Sequence, residues 1–338
     1  MADHMILADW LSANAGTDTQ GRALAEALSA LLAGAQCVSR LTRTAPFLPL
    51  ENGGEPLPSV IERRAHETMM EAARTAPVAY VASEDLESVE TLDPAAPLAL
   101  AMDPLDGGSN IQGNTTTGTI LSLFPAADGP EASFLRPGHE QIAAAYVMHG
   151  PATILALTLG SGVAVFTLDP DRDAFVLTLP ALQTPEDAAT YAISAANARY
   201  WEPAVRAYID DCVQGAAGPR EKDFKMRWVG SLVAQAHRVL TLGGVYLYPR
   251  DDRPGHERGT LHHVHDVAAI AFIAEQAGGA ATDATHRLLD LTPASLHARV
   301  PFVFGSRAKV ARVKRYHDDP DFQRIDAPLF GKRGLFRD

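Results

Sequence analysis

The sequence predicts an α/β protein of layered sheets and helices, and three observations predict it. Apolar or alternating runs of strand length recur through residues 78–179 and again after residue 190. Segments with apolar residues three and four apart lie before, between and after those runs. A polar linker, Pro180 to Thr190, divides the pattern, so residues 1–185 and 186–338 read as two α/β layered domains.

Residues 6–35 carry helical periodicity: Leu7, Trp10, Leu11, Leu24, Leu28, Leu31 and Leu32. Residues 44–58 are rich in proline and glycine and read as a loop, followed by a helix from Ser59 to Arg74. Strands are expected at Val78–Ala82, Leu98–Met102, Thr117–Phe124, Ile142–Met148 and Ala174–Leu179. Thr153–Gly160 and Gly162–Leu168 read as a hairpin. Beyond the linker come a strand at Tyr191–Ser194, helices at Pro203–Val213 and Gly230–Leu242, and a strand at Val245–Tyr248. The helix Val267–Ala277 stops at Gly278-Gly279, a glycine C-terminal signal. A strand at Phe302–Gly305 and a helix at Arg307–Tyr316 complete the pattern.

The chain of 338 residues has ordinary globular composition, with 46% hydrophobic and 21% charged residues, enough for a large core. Its net charge of −12 argues against general nucleic-acid binding, which needs an excess of Lys and Arg. An acidic protein that binds phosphate esters needs local compensation, and bound cations are the simplest source. With only two cysteines, Cys37 and Cys212, a disulfide framework is not expected and the cytoplasm is the default. Neither a secretory signal nor an apolar run of roughly 20 residues is evident, so no membrane association is expected.

The chemistry concentrates in Asp103-Pro-Leu-Asp-Gly-Gly-Ser-Asn110, at the end of an apolar strand. Two carboxylates three positions apart repel unless a cation lies between them. Gly107 and Gly108 let backbone N–H groups approach an anion without side-chain obstruction. Taken alone, Asp266 at the start of an Ala-rich helix is an ordinary N-cap, and Glu84-Asp85 an ordinary solvated acidic turn. Together, Glu84, Asp85, Asp103, Asp106 and Asp266 form a set of hard oxygen donors of the kind Mg²⁺ and Mn²⁺ prefer. Phosphate-monoester hydrolysis is among the slowest uncatalysed reactions, and two metal ions roughly 4 Å apart can stabilise both its attacking and its leaving oxygens.

The Asp103–Asn110 segment resembles the signature of class I fructose-1,6-bisphosphatases. So do Arg227-Trp-Val-Gly-Ser-Leu-Val-Ala-Gln-Ala-His-Arg238, Gly243-Gly-Val-Tyr-Leu-Tyr-Pro249 and the Glu84-Asp85 pair, while His265–Gly279 is equally similar to the second metal motif of inositol monophosphatases. The similarity runs from about Ser59 to Tyr316. It implies a stacked α-β-α-β-α sandwich and a Mg²⁺-dependent (or Mn²⁺-dependent) phosphatase with two or three ions per subunit, acting on a sugar bisphosphate. By resemblance, Glu84, Asp85, Asp103, Asp106, Asp266 and the Leu105 carbonyl are the metal-site groups, and Asp85 and Glu62, beside Glu84, activate the attacking water. The backbone of Gly107, Gly108 and Ser109 holds the 1-phosphate, and Tyr248 bonds the distal phosphate. Arg227 matches an arginine that reaches a neighbouring subunit of a homotetramer; the lesser alternative is a structural ion pair.

Several positions depart from the family pattern. Gly108 stands where serine is usual, Glu62 and Asp266 where aspartate and glutamate are usual, and Pro56 about where a second loop acid would stand. On the substrate side Ser194 replaces an asparagine, Trp228 a tyrosine, Thr260 a lysine and His262 an arginine. Losing a charge-assisted bond costs about 1.5–3 kcal/mol, unless Arg250, Arg253 or Arg258 compensates from the adjacent loop. Fructose 1,6-bisphosphate is the leading substrate; sedoheptulose 1,7-bisphosphate, an inositol phosphate, or a weakly active regulatory paralogue are the alternatives. His262, His263 and His265 invite a transition-metal reading, but the favoured reading is a polar strand replacing family side chains; on a strand His262 would share a face with Asp266, and His263 with His265. The threonine-rich nucleotide loop of AMP-inhibited relatives is not recognisable, so no AMP inhibition is expected.

Overall fold

The computed structural model describes residues 5–47 and 56–319, and every element below lies among them. The periodicity over residues 6–35 resolves into two helices, α1 (Leu7–Asn14) and α2 (Thr19–Thr44). Gly16 breaks the run with φ of 91°, and Asp18 accepts from Gly21 N at 2.7 Å to start the second helix. Of the 44–58 loop, residues 48–55 lie outside the described residues. Helix α3 (Leu57–Arg74) begins earlier than expected, with Pro58 in its first turn, where no N–H is needed.

The first sheet has eight strands: β1 (Val78–Ser83), β2 (Glu90–Thr91), β3 (Leu98–Asp106), β4 (Thr117–Pro125), β5 (Ala143–His149), β6 (Thr153–Thr158), β7 (Ala164–Asp169) and β8 (Ala174–Leu179), in the order β2-β1-β3-β4-β5-β6-β7-β8. β1 and β3 are parallel, and each strand from β3 onward pairs antiparallel with the next. The second half contributes β9 (Thr190–Ala192), α4 (Pro203–Val213), β10 (Lys225–Met226), α5 (Leu232–Leu242), β11 (Val245–Tyr248), β12 (Leu261–His262), α6 (Ala268–Gln276), β13 (Ala280–Thr282), β14 (Arg299–Val300), β15 (Phe302–Gly305) and α7 (Arg307–Asp318). Its five-stranded sheet runs β10-β9-β11-β15-β13.

Period-two alternation sorts the side chains into layers. Leu98, Leu100 and Met102 of β3 pack under Leu28, Leu31 and Ile61 of α2 and α3. From the other face, Ile120 and Tyr146 meet Val233, Ile270 and Phe272 of α5 and α6, which also cover Tyr246, Phe302 and Phe304 of the second sheet. The outer face of that sheet, with Val245, Leu247 and Val303, packs on Val205, Tyr208, Val313 and Tyr316 of α4 and α7. The order is therefore α-β-α-β-α, the sandwich the resemblance implied.

Three local features differ from the sequence reading, and each shapes the site. β3 continues past Met102 to Asp106 through a bulge: Asp103 faces Ile120 and Asp106 faces Gly118 of β4. In a regular strand, residues three apart point to opposite faces; the inserted residue re-aims one of them. Ser194 lies beyond β9 and precedes a 3₁₀ segment, Ala195–Tyr200, instead of ending a strand. The three histidines are not on a strand. β12 ends at His262, and His263–Val267 coils into one π-helical turn because His263 N donates to Ala298 O and His262 N to Asp266 Oδ2 (2.8 and 2.9 Å). Asp266 therefore sits within that turn and does not cap α6, whose N-cap position is Val267.

Candidate active site

β3, the Ser83–Glu84–Asp85 corner after β1, the N-terminus of α5 and the turn before α6 bring four carboxylates together. Asp103 is buried, and its Oδ1 accepts from Leu105 N at 2.9 Å, which holds the backbone around Leu105 in place. Asp106 is held from across the fold: Oδ2 accepts from Ser231 Oγ (2.5 Å) and Val233 N (2.8 Å), and Oδ1 from Leu232 N (3.0 Å). Three donors at a helix N-terminus thus fix its orientation. Ser231 also caps α5, accepting from Ala234 N at 3.1 Å.

Burial pushes the Asp103 carboxyl well above the usual range, and the charges of Glu84, Asp266 and Asp106 add to the shift. Asp266 moves the same way, by burial first and then Glu84. Asp106 rises less, because the Ser231 and Val233 bonds oppose its burial. Among the described residues, Asp266 Oδ1 is buried with no hydrogen-bond partner. Mutually repelling carboxylates with an orphaned oxygen fit a divalent cation: the donor set suits one, and a cation would relieve both penalties.

Asp85 and Glu62 form the second part of the site. Asp85 Oδ2 lies 3.3 Å from Nδ1 of His66, one helical turn after Glu62 on α3. His66 was not singled out in the sequence; its i, i+4 spacing from Glu62 was the available signal. The Glu62 carboxyl is raised by its burial, then by Asp85 and Glu84. Its side chain lies across the glycine turn: a Cβ on Gly108 would fall 1.9 Å from Glu62 Oε1. Gly107 needs its glycine for two reasons, φ of 74° and a Cβ position only 2.8 Å from Ser231 Cβ. The first bond of this turn is Asn110 N to Gly107 O at 2.9 Å, so the N–H groups of Gly107, Gly108 and exposed Ser109 precede its bonded part.

The remaining expected residues divide. Tyr248 stacks on Trp228 (centroids 5.8 Å) and shares a cleft with Ser194 and Asn197. Asn197, which the sequence reading missed, supplies an amide three residues after the serine. Thr260 Oγ1 is buried without a partner. His262 Nδ1 lies 3.3 Å from Glu84 Oε1, on the carboxylate cluster itself. Arg227 is exposed, its Nη1 donating to Met226 O at 2.9 Å, and it makes no ion pair among the described residues. Two of the three arginines offered as compensation are engaged: Arg250 with Glu202 (2.6 Å) and Arg253 with Asp251 (2.9 Å).

Comparison with known proteins agrees with this geometry. Family models described as fructose-1-6-bisphosphatase, N-terminal domain and C-terminal domain match residues 16–180 and 184–318. The chain is 53% identical over 266 residues to the class 1 fructose-1,6-bisphosphatase of Sinorhizobium medicae, covering 78% of this chain and 76% of that one. It is 43% identical over 344 residues to one from Nitrobacter hamburgensis, covering all of both. A crystal structure of Leishmania major fructose-1,6-bisphosphatase superposes with a TM-score of 0.84 at 26% identity, covering 93% of this chain and 99% of that chain. The chain belongs to the class 1 fructose-1,6-bisphosphatase family.

Proposed function

We propose that this protein hydrolyses the 1-phosphate of fructose 1,6-bisphosphate at the Glu84–Asp103–Asp106–Asp266 cluster, with Mg²⁺ or Mn²⁺ as the cofactor. The observation that carries the reading is the convergence of these acids, with Asp266 Oδ1 orphaned, beside the Gly107–Ser109 turn. Family membership makes the chain a metal-dependent phosphatase; the identity of the ion, its number (two or three) and the residue roles are our reading. Divalent cations held there supply electrophilic stabilisation of phosphoryl oxygens.

The chain's own groups do the rest. Asp85, positioned by His66, and Glu62, its carboxyl raised, are the candidates to accept the proton of the attacking water. The water oxygen forms a bond to phosphorus in line, the bond to the sugar oxygen breaks, and that oxygen leaves with a proton. N–H groups of the Gly107–Ser109 turn face the developing charge. Tyr248, Ser194 and Asn197 form the distal-phosphate end.

We also propose two domains meeting near residue 185, a homotetramer in which Arg227 reaches the adjacent site, and a cytoplasmic location. Support is respectively the end of the first sheet at Leu179 and start of the second at Thr190, the exposed Arg227 with no ion pair among the described residues, and two free cysteines. No helix among the described residues is long and apolar enough to cross a membrane.

The test is phosphate release from fructose 1,6-bisphosphate, sedoheptulose 1,7-bisphosphate and inositol phosphates, with and without Mg²⁺. Fructose 1,6-bisphosphate is expected to lead in kcat/KM, and Asp103→Asn to abolish the metal-dependent activity. A tenfold lead by another substrate, about 1.4 kcal/mol in transition-state binding, would overturn the substrate assignment. A fully active Asp103→Asn would overturn the site.

A further inference from the structure

The histidines left over from the sequence reading meet the carboxylates in space. One ring nitrogen of His262, one oxygen of Glu84 and one of Asp266 all lie within 4.8 Å of one another. His262 Nδ1 and Glu84 Oε1 are 3.3 Å apart. Two atoms about 2.1 Å from one ion, in tetrahedral or octahedral geometry, lie roughly 3.0–3.4 Å apart. That pair is therefore spaced as neighbouring ligands of a single ion. Asp266 is buried to 6% exposure, and its Oδ1 has no hydrogen-bond partner while Oδ2 accepts from His262 N at 2.9 Å. The bond to Oδ2 ties the acid to the residue that carries the imidazole and leaves Oδ1 available.

The surroundings support a nitrogen donor. His265 and His297 both pack edge-on against His262, with centroids at 5.8 and 5.6 Å, and lie tilted against each other at 5.3 Å. His297 Nε2 bonds Leu86 O at 2.8 Å, in the corner that carries Glu84. His262 is thus confined at the rim of the carboxylate cluster, with its side chain 14% exposed.

We propose that His262 is a metal ligand, completing a Glu84–His262–Asp266 nitrogen-and-oxygen site that favours an imidazole-accepting ion such as Zn²⁺, Co²⁺ or Mn²⁺ over Mg²⁺. It rests on the reading that this cluster holds divalent cations. Mg²⁺ takes oxygen ligands in a strict octahedron, whereas imidazole strengthens binding along the transition series. His262 is then assigned to the cation and not to the sugar.

The probe is the full-length protein loaded with Mn²⁺ and read by pulsed electron paramagnetic resonance for coupling to ¹⁴N, alongside calorimetric titration with Zn²⁺ and Mg²⁺. Wild type is expected to show histidine nitrogen coupling. His262→Gln should lose it, bind Zn²⁺ at least tenfold more weakly and bind Mg²⁺ within threefold of wild type. His265→Gln, measured in parallel, should keep the coupling. No coupling in wild type, or coupling unchanged in His262→Gln, would overturn the proposal. Should hydrolysis proceed with Mg²⁺ while the coupling is missing, this inference falls and the phosphatase reading stands. Coupling in a protein inactive on every sugar phosphate would do the reverse.

Discussion

Gly108 and Glu62 depart from the family pattern separately in sequence, yet they are one feature in space, and Gly108→Ser tests that. A Cβ at position 108 would lie 1.9 Å from Glu62 Oε1, 2.8 Å from Cδ and 3.0 Å from Cγ. Ordinary contacts begin near 3.5 Å, so the oxygen alone must retreat by roughly 1.5 Å. Because Cδ and Cγ also encroach, turning the carboxylate about its last bond is not enough. The whole side chain must move, and each χ forced about 30° off its rotamer costs about 0.5–1.5 kcal/mol. The stability loss is therefore small. The functional loss is not, since a 1 Å misplacement of a reacting group can cost about 10²-fold in rate, or roughly 2.7 kcal/mol.

Glu62→Asp alone withdraws the carboxyl by one methylene and should cost a similar factor. In the double variant the shorter acid removes the two closest contacts, those of Oε1 and Cδ, and leaves only the 3.0 Å approach at the Cγ position, which a small shift relieves. Steady-state kcat on fructose 1,6-bisphosphate, with thermal unfolding in parallel, gives the cycle. We expect a favourable coupling energy of at least about 1.4 kcal/mol between the two sites. Losses that add within about 0.5 kcal/mol, or a Gly108→Ser variant within threefold of wild type, would refute the steric reasoning.

Ser231→Ala removes both the α5 cap and the 2.5 Å bond to Asp106, so unfolding should lose about 1–2 kcal/mol and Mn²⁺ affinity about tenfold or more by calorimetry; unchanged affinity would separate the cap from the site. His149 is buried on Thr119 (2.9 Å) with its pKa pushed down to about 3, so between pH 6.5 and 3 the unfolded state binds the extra proton and stability falls with acid. From pH 7 to 5 this amounts to about 2 kcal/mol; denaturant titrations should show His149→Gln losing less over that span, and equal slopes would contradict it. Arg227→Ala should leave the sedimentation profile intact and raise KM about tenfold, whereas an unchanged KM would remove it from the site.

The strand and helix pattern, the acids and the Gly107–Ser109 turn were all legible in the sequence, because each depends on local chemistry. Strand burial follows from alternation, a helix stop from Gly278-Gly279, and the expectation of a cation from carboxylates that repel at close spacing. Hence the reaction class could be read from Glu84, Asp85, Asp103, Asp106 and Asp266 before any fold was known. What stayed hidden involves partners distant in the chain. The bulge that re-aims Asp106 exists only against β4, and the bonds that orient it come from Ser231, Leu232 and Val233, more than a hundred residues away. His66 takes its meaning from Asp85, Gly108 from Glu62, and His262 from Glu84. The histidines read as a strand in the sequence, but β12 pairs with β14 for only two residues, and the chain coils into a π-helical turn beyond His262. The sequence determined which chemical groups are present and the layers that carry them; tertiary structure alone decided which groups share a site, since contact depends on packing across layers and not on spacing along the chain.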